Sequence, residues 1–226
     1  TEAGKYEKAI AEARSFMVDN RASAEMEEYL KTAYTKQNPE EDFESYLSSI
    51  KEEALANQRR ELEKDMLNED APSFKLKDLE GNEIALADLK GKTVILDFWA
   101  TWCGPCKMSF PGMQDAVEKY ADNENVEFLF INTWEQGENR EQDVSNFIDE
   151  NNYSFHVLMD ELVAEGNRDF TVVSEYGISG IPTKIIIGPE GKIKFRKVGY
   201  EGNNAKLLQE IGLMIELTQN NKSPQA

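Results

Sequence analysis

The sequence predicts an α/β domain: a mixed central sheet flanked by helices, with an N-terminal β-hairpin, preceded by an all-helical region. Three observations carry this. No glycine falls between Lys5 and Glu80, whereas glycines recur throughout the rest of the 226-residue chain. A glycine-free stretch has few tight turns and suits helices. Before residue 70 the apolar residues recur at helical spacing, and after it short β-branched apolar runs alternate with helical stretches. The boundary is placed near Asp70–Ala71–Pro72, giving a helical region over 1–70, an α/β domain over 71–220 and a flexible tail over 221–226.

The first region is expected to hold three helices. Lys5–Val18 carries Tyr6, Ile10, Ala13 and Met17 on one stripe, and Ala22–Lys36 carries Met26, Tyr29, Leu30, Ala33 and Tyr34. The third helix is expected to start with Asn38 as N-cap and Pro39 at its first position, followed by Glu40, Glu41 and Asp42. Phe43, Leu47, Ile50 and Ala54 then repeat, but Asn57, Gln58 and Glu61 interrupt the stripe before Leu62 and Met66. Continuous to Leu67, this helix is about 42 Å long. Its second half suits a solvated arm or a helix laid shallowly on the next domain.

In the second region, Phe74–Lys77 and Glu83–Ala85 flank Leu79–Glu80–Gly81–Asn82, a hairpin pattern. Thr93–Ala100 and Val126–Asn132 are short apolar runs of buried strands, separated by a helix over Pro105–Ala121. Strand, helix, strand in that order implies a right-handed parallel crossover. A short helix follows over Gln142–Asn151. Thr183–Ile187 and Lys192–Val198 form a hairpin around Gly188–Pro189–Glu190–Gly191, and Ala205–Thr218 closes as a helix.

Composition narrows the chemistry. Lys plus Arg number 25 against 43 Asp plus Glu, a formal charge of −18. Such a surface repels phosphate backbones, which disfavours general nucleic-acid binding. The acidity is spread: 18 acids and 10 bases before residue 71, 25 and 15 after it. No run of about 18 apolar residues is present to form a membrane span. The histidine His156 and the cysteines Cys103 and Cys106 are too few for a tetrahedral zinc site. His156, in Ser154–Phe155–His156–Val157–Leu158, suits a structural or surface role. Asn152–Tyr153–Ser154 is a formal glycosylation sequon, taken as chance. The chain begins at Thr1 rather than Met, compatible with a longer precursor bearing a secretion signal.

The strongest motif is Trp102–Cys103–Gly104–Pro105–Cys106–Lys107, directly after a predicted strand and at a helix start. Two cysteines with two residues between them can close a disulfide across one turn, and this placement suits a redox pair. The first helical turn offers unpaired N–H groups and the positive end of the helix dipole. Cys103, at that end, should be the more acidic thiol, with Cys106 shielded one turn in. Lowering a thiol pKa from about 8.5 to about 7 takes roughly 2 kcal/mol. A partly buried helix terminus supplies up to about 2 kcal/mol. Weaker nucleophilicity returns much of the gain, so attack speeds up only about threefold. Positioning and a better leaving group must therefore do more. A purely structural disulfide would close too short a loop to stabilise much. Asp97 sits inside the run Val94–Ile95–Leu96–Asp97–Phe98–Trp99. Either it is hydrated at a sheet edge, or it is buried at a cost that calls for a reason. A raised pKa would let it take a proton from Cys106.

The segment VILDFWATWCGPCK resembles the active-site segment of thioredoxins. The wider pattern, APSFKLKDLEGNEIALADLKGK before it and GISGIPTKIIIGPEGKI after it, is similar to the TlpA/ResA group of thiol–disulfide oxidoreductases, over about residues 71–217. Residues 1–70 carry no such resemblance. A thioredoxin-like fold with a family insertion is thus expected, the longer stretch Thr133–Tyr176 matching the inserted βα region. Glu161–Phe170 is expected to rim the substrate surface. The resemblance implies that Cys103 attacks, Cys106 resolves, and Pro182 is a cis-proline facing them. Ile181 would offer backbone hydrogen bonds to an extended substrate strand, and Trp102, with Gly104 and Pro105, would shape the contact surface. For Trp102 a plain core position is an equal alternative, and for Gly180–Ile181–Pro182 an ordinary strand-entry turn is the other reading. Asp97 occupies the place of the buried acid of thioredoxins, and Pro111 that of their helix-kinking proline. There are departures. Ser109 stands where ResA proteins carry Glu, Gly104–Pro105 where they carry Glu-Pro, and Phe130 where thioredoxins carry a lysine.

The function this implies is a thiol–disulfide oxidoreductase that reduces protein disulfides through a Cys103/Cys106 cycle. Its partners would be disulfide-containing proteins and an upstream thiol electron donor, soluble or membrane-bound. No metal and no cofactor beyond the redox-active disulfide is expected. The resemblance places it in a bacterial cell envelope or periplasm, with a possible lipid anchor on the precursor, although CxxC enzymes also work in the cytosol. One alternative is a redox-tethered adaptor that holds a partner with the N-terminal helices. Another is a peroxiredoxin-type peroxidase, disfavoured because Leu96 and Ala100 stand where that chemistry wants Pro and Thr or Ser.

Overall fold

The computed structural model describes residues 2–19, 21–163 and 169–220. The tail over 221–226 lies outside the described residues, as does 164–168 within the expected rim. The chain divides into two compact units, Thr1–Asp65 and Met66–Ala226. The first ends ahead of the expected boundary near Asp70–Ala71–Pro72. Leu67 N–H already donates to the carbonyl of Lys194, and Glu69–Asp70 pairs as a strand, so this stretch belongs to the second unit.

The first unit contains α1 (Glu2–Val18), α2 (Ala24–Gln37) and α3 (Phe43–Lys64). Its core is built from Ala13, Met17, Leu30, Tyr34, Phe43, Leu47 and Ile50. Tyr46 stacks on Tyr34 with ring centroids 4.0 Å apart. Ser23 caps α2 by accepting from Met26 N–H. The expected cap of the third helix is corrected. Asn38 instead ends α2, its N–H donating to the Tyr34 carbonyl, and Asp42 caps α3 by accepting from Glu44 and Ser45 N–H. Pro39 therefore follows a helix end, where its missing N–H suits it equally well. The buried positions of α3 stop at Ile50, and Leu55 is 40% exposed, as the interrupted stripe implies.

The second unit is an eight-stranded mixed sheet with strand order β1-β8-β7-β4-β5-β6-β2-β3. The strands are β1 (Glu69–Asp70), β2 (Lys75–Asp78), β3 (Glu83–Ala85), β4 (Thr93–Trp99), β5 (Val126–Asn132), β6 (Val157–Met159), β7 (Thr183–Ile187) and β8 (Lys192–Val198). β4 is parallel to β5 and antiparallel to β7, so it is central and buried at every residue. That is why its sequence is a continuous apolar run rather than an alternating one. The β2–β3 hairpin turns at Gly81, with φ 87°, while the Asp78 carboxylate accepts from Glu80 and Asn82 N–H. The remaining helices are α4 (Gly104–Lys119), α5 (Arg140–Asn151), α6 (Thr171–Glu175) and α7 (Asn204–Asn220). Within the rim stretch, Leu162 bridges Phe170, and Val163 N–H donates to the Asp169 carbonyl.

Alternation along β4 divides the core. Val94, Leu96 and Phe98 join Leu129, Ile131, Ile185, Ile187, Val172 and Tyr176 on one face. Thr93, Ile95, Asp97 and Trp99 look to the other face, where Trp99 meets Phe110 of α4 at 5.1 Å. α7 packs against α4, β4 and β7 on that side.

Candidate active site

The chain leaves β4 at Trp99 and starts α4 at Gly104, with Cys103 as the N-cap. Cys103 and Cys106 form a disulfide with Cα atoms 5.3 Å apart. Cys106 N–H donates to the Cys103 sulfur at 3.2 Å, a helix-start donor aimed at the sulfur that opens the helix. Cys106 is fully buried and Cys103 is 3% exposed. Pro105 lies in the first turn of the helix, where no partner for its N–H is missed. Gly104 has no positive φ, and a Cβ there would meet nothing within 4 Å, so packing does not require glycine.

Trp102 is 51% exposed, which rules out the core alternative. Its indole N–H donates to the Trp134 carbonyl. The Ile181–Pro182 bond is cis. The Pro182 carbonyl accepts from Gly199 N–H at 2.8 Å, and Thr183 Oγ1 donates back to the Gly180 carbonyl. Ser109, where ResA proteins carry Glu, is fully buried, and its hydroxyl donates to the Cys106 carbonyl at 2.8 Å. Phe130 is buried and stacked on Phe155 at 3.8 Å.

Asp97 is 1% exposed, which removes the hydrated-edge alternative. Burial pushes its carboxyl pKa up, opposed by Lys184. That lysine is also 1% exposed and lies directly across the β4–β7 ladder, Nζ 3.2 Å from both Oδ1 and Oδ2. Sequence reasoning missed Lys184. Its signal was a charge inside the apolar run TKIII, the same kind that singled out Asp97. It also missed Glu135, a buried carboxylate that accepts from Thr101 N–H, Thr101 Oγ1–H and Asn132 Nδ2–H at 2.8, 2.8 and 3.0 Å. Asp160 was missed too. It accepts from Val172 and Val173 N–H and from Thr133 Oγ1–H, fastening α6 to the end of β5. His156 stands elsewhere, between Asp78 and Glu127 at 3.6 Å each.

Residues 67–196 match the AhpC/TSA family. The thiol–disulfide oxidoreductase ResA of Bacillus subtilis is 40% identical over 124 residues, which is 55% of this chain and 63% of that relative. ResA of Bacillus anthracis is 34% identical over 139 residues, covering 62% of this chain and 73% of that one. Among solved structures, a thioredoxin-family thiol:disulfide interchange protein from Chlorobium tepidum superposes with TM-score 0.53 at 25% identity, over 67% of this chain and 97% of that one. A thiol:disulfide interchange protein from a Bacteroides species gives 0.52 at 26% identity, over 69% and 92%. The chain belongs to the AhpC/TSA family, with a thioredoxin-like fold and relatives named ResA thiol–disulfide oxidoreductases.

Proposed function

We propose that this chain reduces disulfides in other proteins through a Cys103/Cys106 dithiol–disulfide cycle. The observation that carries the reading is the Cys103–Cys106 disulfide at the N-terminus of α4. In the reduced protein, the Cys103 thiolate attacks one sulfur of a substrate disulfide and the other leaves as a thiolate. The Cys106 thiol gives its proton to Asp97 and attacks the Cys103 sulfur. The mixed disulfide breaks, the second substrate sulfur leaves, and the Cys103–Cys106 bond re-forms. Two electrons pass to the substrate, and an upstream dithiol donor returns them. Exposed Trp102 and the edge at Ile181–Pro182 form the surface against which the substrate strand lies, with Gly104 and Pro105 at its centre.

The direction rests on Gly104–Pro105 and on the relatives' resemblance. CxxC potentials span about 150 mV, or about 7 kcal/mol for two electrons. Equilibration with glutathione buffers decides it: a potential near the reducing end supports the reading, and one near the strong oxidants overturns it. Insulin reduction tests the cycle. Cys103→Ser should abolish turnover, and Cys106→Ser should trap mixed disulfides with substrate. Undiminished turnover in either variant would falsify the assignment. Envelope location and a membrane-side donor are the compartment and partner this chemistry suits.

A second reading is favoured by one observation. Thr1–Asp65 has its own core, separate from the redox unit, which suits a module that holds a partner while the thiols act. Loss of partner capture with unchanged insulin reduction, after substitution of exposed Tyr29 and Leu55 by Ser, would support that reading. The peroxidase alternative finds buried Leu96 and Ala100 where it needs Pro and Thr or Ser.

A further inference from the structure

The two residues ahead of Cys103 are bonded to two consecutive residues after β5. Thr101 N–H donates to Glu135 at 2.8 Å, and the Trp102 indole N–H donates to the Trp134 carbonyl at 3.0 Å. Trp134 and Glu135 also line a hollow of about 420 Å³, whose remaining walls include Arg140 at the start of α5, Leu162 and Phe170. The hollow thus adjoins the segment that carries the redox pair. Among the described residues neither cysteine nor Pro182 lines it, so it lies beside the reacting sulfurs rather than over them.

Aromatic and aliphatic walls here meet one cation. The Arg140 guanidinium stacks over the Phe170 ring at 4.7 Å and gives one N–H to the Asp160 carbonyl at 2.9 Å. Its Nε–H is buried and meets no acceptor. A guanidinium presents five N–H donors in a planar fork that matches a carboxylate. The other charged wall residue does not answer it. Both Glu135 oxygens are taken by Thr101 and Asn132, which supply three hydrogen bonds. Glu138 and Glu141, on either side of Arg140 in sequence, are exposed and line a second hollow with Asp160 and Glu161. The whole chain carries a formal charge of −18, which at long range favours a cationic partner. Range decides between the two. Distant charges are screened within about 8 Å at physiological salt, whereas a guanidinium touching a carboxylate makes a short, charge-assisted pair.

We propose that this hollow is a specificity subsite for substrate polypeptides: it takes an acidic side chain a few residues from the substrate cysteine, with the carboxylate on Arg140 and the stem between Trp134, Leu162 and Phe170. The inference rests on the disulfide-reductase reading above and adds a substrate class to it, disulfides flanked by Asp or Glu. Docking precedes attack by Cys103 and adds no covalent step. Its effect falls on KM, because the contact is made in the bound substrate and kept in the transition state.

Short capped peptides test this, each with a single cysteine in mixed disulfide with thionitrobenzoate and with Glu, Gln or Lys placed in turn at nearby positions on either side. On stopped-flow mixing with the reduced full chain, the Cys103 thiolate bonds to the peptide sulfur. Thionitrobenzoate leaves with the electron pair of the broken S–S bond, and its absorbance reports the step. At one position or more, the Glu peptide should half-saturate at about a tenfold lower concentration than the Gln peptide. Arg140→Gln should bring that ratio to about one, and Arg140→Lys should keep part of it. Equal half-saturation of Glu and Gln peptides at every position overturns the subsite, as does a Glu preference that survives Arg140→Gln. A preference for Lys assigns the surface to cationic segments and overturns it too. A wild-type chain that releases no thionitrobenzoate from any peptide overturns the reductase reading and the subsite with it, whereas release without discrimination overturns the subsite alone. A measurement without variants covers a misfolded Arg140→Gln. In the oxidised wild-type chain, the Arg140 Nε–H resonance should move on adding the Glu peptide made with Ser for its cysteine, and stay in place with the matching Gln peptide. A resonance that answers both alike, or neither, overturns the proposal.

Discussion

The indole N–H of Trp102 donates to the carbonyl of Trp134 at 3.0 Å, so the residue in front of Cys103 is held by the loop that follows β5. Trp134 adopts φ 51°, a left-handed conformation uncommon for a residue with a side chain. That conformation is held between Thr133, which donates to Asp160, and Glu135, which accepts from Thr101. Two consecutive residues ahead of the redox pair are thus fastened to one short segment.

Removing Glu135 should loosen that fastening. Glu135→Ala leaves the Thr101 N–H and the Asn132 amide without their partner in a buried setting, a loss of about 2–4 kcal/mol. Urea unfolding should show a lower midpoint at unchanged slope, and insulin reduction should slow. A midpoint within error of wild type would count against the clamp.

Trp102 should matter for substrate and little for folding. Half exposed, it contributes one hydrogen bond, so Trp102→Ala should cost about 1 kcal/mol of stability. Its loss from the contact surface should raise KM for a protein disulfide roughly tenfold with kcat nearly unchanged. A fall in kcat at constant KM would contradict this.

Two glycines of the redox helix should behave oppositely. At Gly104 a Cβ meets nothing, and Gly104→Ala should stabilise by about 0.4–1 kcal/mol. At Gly112 a Cβ would lie 3.0 Å from the Asn204 carbonyl and 3.1 Å from its Cα, backbone of α7 that cannot turn aside. Gly112→Ala should destabilise by about 1–3 kcal/mol. Thermal melts of the two variants decide the matter.

His156 should make stability depend on pH near neutrality. The hydrogen bond to Glu127 holds its pKa above the usual histidine value, opposed by partial burial and assisted by Asp78. The folded state thus binds the proton more tightly than the unfolded chain does. The contribution is fully present below the unfolded pKa of about 6.5, and is lost as pH rises through the higher folded value. The urea midpoint of wild type minus that of His156→Gln should therefore fall from pH 6 to pH 8. A flat difference would remove His156 as the source.

Much of this architecture was legible because its central strands are buried almost throughout. TVILDFW, VEFLFIN and TKIII are apolar runs too short for helices, and all three became sheet strands close to their expected bounds. Where the sequence misled, two local solutions competed. Asn38–Pro39 and Asp42 both suit a helix start, and Asp42 prevailed because it reaches two N–H groups while Asn38 ends α2. β1 and α6 were missed because two and five residues carry no period. The redox pair was readable from its own residues, and the cis-proline only through the family resemblance. Lys184 was not, because its significance lies in β7 pairing with β4, and strand order is written in no local pattern. Glu135 was not singled out, because its three donors come from Thr101 and Asn132, on other parts of the chain.

The close approach at Gly112 ties the redox helix to the last described helix of the chain. During synthesis the two sulfurs emerge about a hundred residues before that back wall exists. Until Asn204–Asn220 is made, the redox helix lacks the neighbour it packs against at Gly112. The seating of the redox helix is thus a late property, completed only when the end of the chain packs against its middle.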